Sequence, residues 1–302
     1  DDVESRGLGD VYKRQWNQLP VLGVMGVRTG VVDWFNDPEK NIHAPWGWNG
    51  FNNNFFSKET GGISQYDFNV SFNIEDRVYL GATLGVYDVN YDRYTSYTEN
   101  LNDDKGADNG GYTLDNYYRL EGTGMDLKLG VIVRPIESSP FRLGFAVHTP
   151  TWYDLRESYN ATLSSDILAY EKPYIQTLSD FLVTPEYDYL TYDYNLTTPW
   201  KFNVSAGTTF AGAVAVGAEY EYQDYSSSKL KDVDGYELGD QPSVENYLKG
   251  VHTFRIGMET RIIPEFSIRA GYNYSSAAFS KDAYSALSLY STRTDFNNTE
   301  SK

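Results

Sequence analysis

The sequence predicts an all-β protein, an antiparallel transmembrane β-barrel with long extracellular loops and a short helix near the N-terminus. Three observations lead to this fold class. Apolar and polar residues alternate in eight segments, short turns alternate with long polar connections between them, and the glycines collect on the polar face.

The composition favours strands over helices. Of the 302 residues 16% are aromatic, with 27 Tyr against 3 Met, and aromatic side chains pack well on a pleated sheet. The net charge of −17 argues against nucleic acid as a partner, because the phosphate backbone would be repelled. The chain has no Cys, which excludes disulfides and thiolate metal sites. No apolar run reaches the roughly 18 residues that a membrane helix needs.

The N-terminal part is not predicted to belong to the sheet. Residues 1–14 are polar and without periodicity, so we interpret them as a non-native leader. Residues 15–61 are expected to form an extracellular loop region with a short helix, because apolar residues recur there at roughly helical spacing. Two interpretations stay open, a cap helix that buries its own face and an apolar groove for a lipid-like ligand. The candidate groove residues are Leu19, Leu22, Met25, Trp34 and Phe35.

The wall of the barrel is expected over residues 62–280, as eight strands. In the first of them Phe68, Val70, Phe72 and Ile74 alternate with polar residues, and the other seven follow the same rule. The segments are 66–74, 78–87, 125–134, 141–148, 200–207, 214–223, 254–261 and 266–274. Short turns are predicted near 75–77, 135–140, 209–212 and 262–265, and long loops near 94–114, 156–183, 228–246 and after 280. Residues 281–302 are interpreted as a truncated extracellular loop.

Three features favour lipid, and not a protein core, on the apolar face. Ten glycines fall on the polar face and indicate a crowded concave interior. The same face mixes both signs of charge, and aromatic residues such as Trp152, Tyr153 and Trp200 cluster toward strand ends, as in interfacial girdles. A soluble lipocalin-like barrel is the alternative. The glycines are Gly81, Gly85, Gly122, Gly124, Gly130, Gly144, Gly207, Gly217, Gly257 and Gly271.

Four stretches carry a resemblance to a known family. They are EGTGMDLKLGVIVRP (121–135), FRLGFAVHTPTWYDL (141–155), TPWKFNVSAG (198–207) and FSIRAGYNYSSAAF (266–279). In order and spacing they resemble the FadL-type (long-chain fatty acid transport) outer-membrane proteins, in the form common in Bacteroidetes. The resemblance implies a fourteen-stranded barrel plugged by an N-terminal hatch, of which this chain is a fragment with about eight strands, the fourth to the eleventh.

The resemblance also implies a function and a location. The protein is expected in the bacterial outer membrane as a monomer, taking up hydrophobic small molecules such as fatty acids by passive diffusion through the plugged barrel. Outer-membrane lipid and lipopolysaccharide are its expected partners. We expect no cofactor, no metal and no enzymatic activity, since no catalytic motif is present. A general porin, and a structural or adhesive barrel using Tyr-rich loops, are the alternatives.

The basic residues of the polar face are the candidate ligand-binding residues. A cation in the lumen can attract a carboxylate head group through charge-assisted hydrogen bonds. The alternative is a ladder of ion pairs that braces the barrel. The candidates are Lys128, Arg134, Arg142, His148, Lys201, Arg255 and Arg269.

Overall fold

The computed structural model describes residues 25, 26, 29, 31, 49–102, 105–167, 174–177, 191–281 and 283. In this part of the chain twelve strands form one largely antiparallel sheet. The strands are β1 (Asn49–Ile74), β2 (Val78–Asn102), β3 (Asp108–Val133), β4 (Arg142–His148), β5 (Trp152–Ser165), β6 (Tyr174–Thr177), β7 (Thr191–Thr197), β8 (Lys201–Phe210), β9 (Val214–Asp224), β10 (Lys229–Asp232), β11 (Gly250–Ile263) and β12 (Phe266–Ser275). A 3-10 turn (Tyr225–Ser227) and the helix α1 (Gln241–Tyr247) lie between β9 and β11. Among the described helices none is long and apolar enough to span a bilayer.

The eight predicted strands are confirmed, since they lie in β1, β2, β3, β4, β8, β9, β11 and β12. The described residues contain twelve strand segments in all, so four of them, β5, β6, β7 and β10, lie outside the eight predicted segments. β1 begins at Asn49, inside the region 15–61 that was predicted to be a loop. The predicted loops near 94–114, 156–183 and 228–246 also contain strand, as parts of β2, β3 and β5 and as β6 and β10.

Cross-strand polar contacts explain the longer strands. Tyr and Thr suit a pleated surface even where apolar alternation has ended. The Tyr94 hydroxyl donates to Asp115 Oδ1 (2.8 Å), and the hydroxyls of Thr98 and Thr113 lie 3.1 Å apart. These pairs connect β2 to β3 beyond the apolar stretch, where the sequence showed only a polar segment.

The short turn between β1 and β2 is stabilised by side chains. Glu75 and Asp76 both adopt positive φ, 53° and 54°, as the central residues of a tight hairpin of the primed type require. The Asn73 side chain accepts from the Asp76 backbone amide (3.0 Å) and donates to the Asp76 carboxylate (2.6 Å). This turn fixes which residues of β1 and β2 face each other.

Two prolines interrupt neighbouring strands at adjacent positions. Pro150 separates β4 from β5, and Pro199 separates β7 from β8, because proline has no amide to give to the ladder. β4 pairs with β8, and β5 lies next to β7. Threonine hydroxyls replace part of the lost ladder: Leu127 N donates to Thr149 Oγ1 (3.0 Å) and Thr151 N to Thr198 Oγ1 (2.8 Å).

The chain divides into two compact units. The first comprises Asp1–Gly61, Tyr91–Leu120 and Glu157–Tyr192, and the second comprises Gly62–Asn90, Glu121–Arg156 and Asp193–Lys302. In the first unit Met25, Ala161 and Leu163 form a small buried core, against which Leu114 and Tyr159 pack.

The second unit exposes its apolar face. Phe68 is 66% exposed and Ile256 59%, whereas Asp126 on the polar face is 5% exposed. A soluble sheet would bury these apolar side chains against a core, so their exposure favours a lipid environment. Within the described residues β1 pairs only with β2, and β12 only with β11.

The register places four glycines of the second unit side by side. Gly207, Gly217, Gly257 and Gly271 face one another across β8, β9, β11 and β12. A Cβ at any of them would meet only atoms at 3.4 Å or farther. Crowding therefore does not explain these four glycines, although the sequence analysis attributed the glycines of the polar face to crowding. The row of glycines leaves a strip of the polar face without side chains.

Candidate functional site

Lys128 lies between two carboxylates on the polar face of β3. Asp126 precedes it by two positions, so both side chains project from the same face of the strand. Lys128 Nζ is 3.0 Å from Asp67 Oδ1 and 3.7 Å from Asp126 Oδ1. The same nitrogen lies 5.7 Å from the ring centre of Tyr87. The charge of Lys128 is thus balanced within the second unit.

Asp126 is the most enclosed charged group of this cluster, at 5% exposure. Its Oδ2 accepts hydrogen bonds from the Tyr87 hydroxyl (2.8 Å) and the Thr151 hydroxyl (3.4 Å). Its Oδ1 accepts no hydrogen bond within the described residues, so Lys128 alone compensates that oxygen. A buried carboxylate without such partners would be strongly destabilising.

Two glycines create the space for this cluster. A Cβ at Gly85 would clash with the Asp126 carboxylate, and a Cβ at Gly124 would clash with the Tyr153 ring. The rings of Tyr153 and Tyr87 lie 5.7 Å apart. Here crowding does explain the glycines. Tyr153, which the sequence placed with the interfacial aromatics, packs inside the cluster, while its neighbour Trp152 is exposed.

A second set of ion pairs crosses β8, β9 and β11. Arg255 faces Glu219 directly and bonds to it, and its Nη1 also lies 3.3 Å from Glu221 Oε2. Lys201 Nζ is 3.9 Å from Glu221 Oε1. One strand pair farther, Arg269 Nε donates to Glu259 Oε2 (2.7 Å), again between residues that face each other.

The other three candidates have different surroundings. Arg134 caps the turn before β4 by donating to the carbonyls of Glu137 (2.6 Å) and Ser139 (2.8 Å). His148 faces Lys128 on one side and Lys201 on the other. Arg142 carries its guanidinium 5.6 Å from the Tyr79 ring and has no carboxylate partner among the described residues.

These contacts favour bracing over ligand capture for most of the basic candidates. Lys128, Lys201, Arg255 and Arg269 are already paired with carboxylates, and Arg134 with carbonyl groups. An anionic ligand would have to displace those partners. Arg142 is the exception, since an aromatic face leaves the in-plane N–H groups of a guanidinium free to donate.

Of the five residues predicted to line an extracellular groove, the structure describes only Met25. Met25 is fully buried against Ala161 and Leu163, so it belongs to a core and does not line an open groove. Met25 and Gly26 are helical, and Thr29 donates its amide to the Met25 carbonyl (3.0 Å). Leu19, Leu22, Trp34 and Phe35 lie outside the described residues.

Sequence reasoning located the cations but not their partners. The alternation of their strands puts Asp67, Asp126 and Tyr87 on the polar face, but the sequence does not show which of them contacts Lys128. The signal that could have found them is the short turn at 75–77, which brings Asp67 next to Gly85. A Cβ at Gly85 would lie 3.2 Å from Asp67 Oδ1.

Comparison with known proteins gives structural neighbours only. No protein-family model and no curated protein sequence matches the chain. The toluene transporter TbuX of Ralstonia pickettii is similar to it, with a TM-score of 0.42 and 18% identity over 75% of this chain and 58% of that one. The toluene transporter TodX of Pseudomonas putida is also similar, with a TM-score of 0.37 and 12% identity over 77% of this chain and 76% of that one. The CymD monoaromatic hydrocarbon channel has a TM-score of 0.35 and 11% identity, over 78% and 76%. This chain therefore spans 58% of the length of the R. pickettii protein.

Proposed function

We propose that this chain forms part of the wall of an outer-membrane channel for hydrophobic small molecules, such as long-chain fatty acids. The observation that carries the proposal is the exposed apolar face of the second unit, opposite a face that holds ion pairs and glycines. A lipid-facing barrel needs this arrangement, because its outer surface contacts hydrocarbon and its inner surface contacts polar groups.

The paired charges support a solute that brings little charge of its own, because the polar face compensates its charges within the sheet. Arg255 with Glu219 and Lys128 with Asp67 each connect neighbouring or nearby strands on the polar face. The sequence resemblance to fatty-acid channels supports the same ligand class.

A transport assay separates this function from a general porin. The protein would be produced in the outer membrane of a bacterial host whose own fatty-acid channel gene is deleted. We expect restored uptake of radiolabelled oleate and of toluene, and no swelling of sugar-loaded liposomes that contain the purified protein. Rapid swelling without oleate uptake would replace the proposal with a porin.

A structural or adhesive barrel is the remaining alternative. It predicts neither oleate uptake nor swelling, with the protein still folded and present at the cell surface. Folding is checked by the heat-dependent shift in gel mobility that outer-membrane barrels show. A folded protein that transports neither probe would overturn the proposal.

A further inference from the structure

The apolar face of the second unit carries a groove that the proposed transport function does not use. It has a volume of about 390 Å³ and lies among residues of β4, β8, β9, β11 and β12. The register pairs Leu143, Ala206, Ala218, Ile256 and Tyr272 in turn across these five strands. They form one row on the apolar face, and the groove follows this row.

Differences in side-chain size give the groove its depth. Ala206 and Ala218 face each other on β8 and β9, and each carries only a methyl group. The next row toward the start of β11 contains Val204, Tyr220 and Phe254, which also line the groove and are much larger. A hydrocarbon chain fits along this step, because its CH₂ groups contact apolar atoms on the floor and on one wall.

His252 adds a polar group to the same face. It lies two residues before Phe254 on β11, so both side chains project from one face of the strand. Its Nδ1 lies 2.8 Å from the Tyr220 hydroxyl, and its ring centre lies 5.0 Å from that of Tyr222. The ring is exposed, and the described residues give Nε2 no partner. With Tyr220 as the donor to Nδ1, the imidazole proton is on Nε2, which can donate to a phosphate or ester oxygen.

The connections of β11 indicate which end of the groove is extracellular. β11 begins at Gly250 after the long connection 225–249, and it ends at Ile263 before the two-residue turn to β12. Outer-membrane barrels have long extracellular loops and short periplasmic turns, so His252 belongs to the extracellular end. The stacked rings of Trp200 and Phe202 mark the same end with exposed aromatic groups, as at a membrane interface.

The spacing between His252 and the groove suits a lipid. Four residues separate His252 from Ile256, which is ~14 Å along the strand at ~3.4 Å per residue. A head group at the level of His252 and the aromatic rings would therefore direct its acyl chain past Phe254 to the floor at Ala218. A lipid in this position belongs to the outer leaflet.

We propose that the groove holds one acyl chain of lipid A, the membrane anchor of lipopolysaccharide, while His252 donates to a phosphate or ester oxygen of its head group. The assignment to lipid A rests on the outer-membrane location in the proposed function. A phospholipid shares the acyl chain and the phosphate, and the test separates the two lipids.

The test measures which lipid stays on the full chain in phosphatidylcholine nanodiscs that contain a small fraction of hexa-acylated lipid A. Native mass spectrometry gives the ratio of lipid A to phosphatidylcholine on the protein, and this ratio divided by that of the disc is the relative affinity. We expect a relative affinity of about ten for the wild type, against about one for lipid that merely surrounds the protein. Parallel discs contain phosphatidylethanolamine in place of lipid A.

The variants separate the groove from the rest of the apolar face. Ala218→Leu fills the floor of the groove and should lower the relative affinity to about one. Ala270→Leu adds the same side chain at another exposed alanine of this face, outside the groove, and is the matched control that should bind like the wild type. His252→Phe keeps a ring but removes Nε2, and should lower the relative affinity about threefold, the effect of one hydrogen bond.

Three results would overturn the proposal. These are a wild-type relative affinity near one, equal losses in Ala218→Leu and Ala270→Leu, and an equal enrichment of phosphatidylethanolamine with the same dependence on Ala218. Heat-dependent gel mobility checks that each variant is folded. Ala206→Leu, at the residue that faces Ala218, replaces Ala218→Leu if the latter does not fold.

Oleate uptake is measured on the same variants. Lost lipid A enrichment with intact uptake in Ala218→Leu would support a lipid site separate from transport. A loss of uptake that follows the loss of enrichment would assign the groove to the transported solute and overturn the proposal. Absent uptake in the wild type with intact enrichment would reject only the channel.

Discussion

Thr151 and Thr198 form a reciprocal pair of hydrogen bonds between the two proline interruptions. The Thr151 amide donates to the Thr198 hydroxyl (2.8 Å), and the Thr198 amide donates to the Thr151 carbonyl (3.0 Å). The Thr151 hydroxyl in turn donates to the carboxylate of Asp126. The break in the ladder and the buried charge cluster are therefore parts of one hydrogen-bonded arrangement.

The Thr198→Val variant should lose about 1 kcal/mol of unfolding free energy, because the Thr151 amide then lacks its acceptor. Thr198→Ser keeps the hydroxyl, so its free energy of unfolding should stay within about 0.3 kcal/mol of the wild-type value. Urea unfolding of the protein in lipid vesicles measures the difference. Equal stability of the two variants would show that this hydrogen bond contributes nothing.

Replacing Asp126 by Ala should cost roughly 3 kcal/mol, because the variant breaks a buried ion pair and leaves the Tyr87 hydroxyl without its acceptor. Asp126→Asn keeps an oxygen for Tyr87 and should lose less. Asp67→Ala, at the exposed end of the cluster, should lose least. We therefore expect Asp126→Ala to be the least stable variant and Asp67→Ala the most stable. A lower free energy of unfolding for Asp67→Ala than for Asp126→Ala would contradict this order.

Gly85→Ala should destabilise the second unit by about 1–3 kcal/mol, because the new Cβ would clash with the Asp126 carboxylate. Gly81 on the same strand has open space around its Cβ position, so Gly81→Ala is the matched control and should change stability by less than about 0.5 kcal/mol. Combining Gly85→Ala with Asp126→Ala should cost less than the sum of the two single changes. Strict additivity would mean that the two residues are not in contact.

We propose that Arg142, whose guanidinium has no carboxylate partner among the described residues, is the polar-face cation that binds a carboxylate head group. The Arg142→Ala variant should lower oleate uptake on the order of tenfold, the effect of one charge-assisted hydrogen bond. Uptake of toluene, which has no charged group, should stay unchanged, and Arg142→Lys should retain part of the oleate rate. An equal decrease for both substrates would show a structural role instead.

Tyr112 should resist ionisation at alkaline pH. Burial and the hydrogen bond that its hydroxyl donates to Glu99 Oε2 (2.5 Å) raise its pKa well above the ordinary value of 10.0. Because the folded-state pKa is the higher one, its contribution to stability is complete below about pH 10 and decreases as the pH rises beyond it. The ionisation of Tyr112 is measured by an alkaline pH titration, as the tyrosinate absorbance of the wild type minus that of Tyr112→Phe. A rise of this difference near pH 10 would contradict the contact with Glu99.

Sequence periodicity predicted those strands in which apolar and polar residues alternate. It missed β5 and β7, since Pro150 and Pro199 ended the pattern, and it missed the extensions of β2 and β3, since tyrosines there lie among charged residues. It identified Lys128 and Arg255 as polar-face cations. It did not identify their partners, because those depend on the register between strands and on the packing at Gly85.

The row formed by Gly207, Gly217, Gly257 and Gly271 has a mechanical consequence. Facing side chains that interlock make a sheet stiff, and on the polar face this row has none. Bending the four strands inward along the row therefore meets no steric resistance from Cβ atoms. In the described parts of β8, β9, β11 and β12, this line can therefore act as a crease along which the sheet curves.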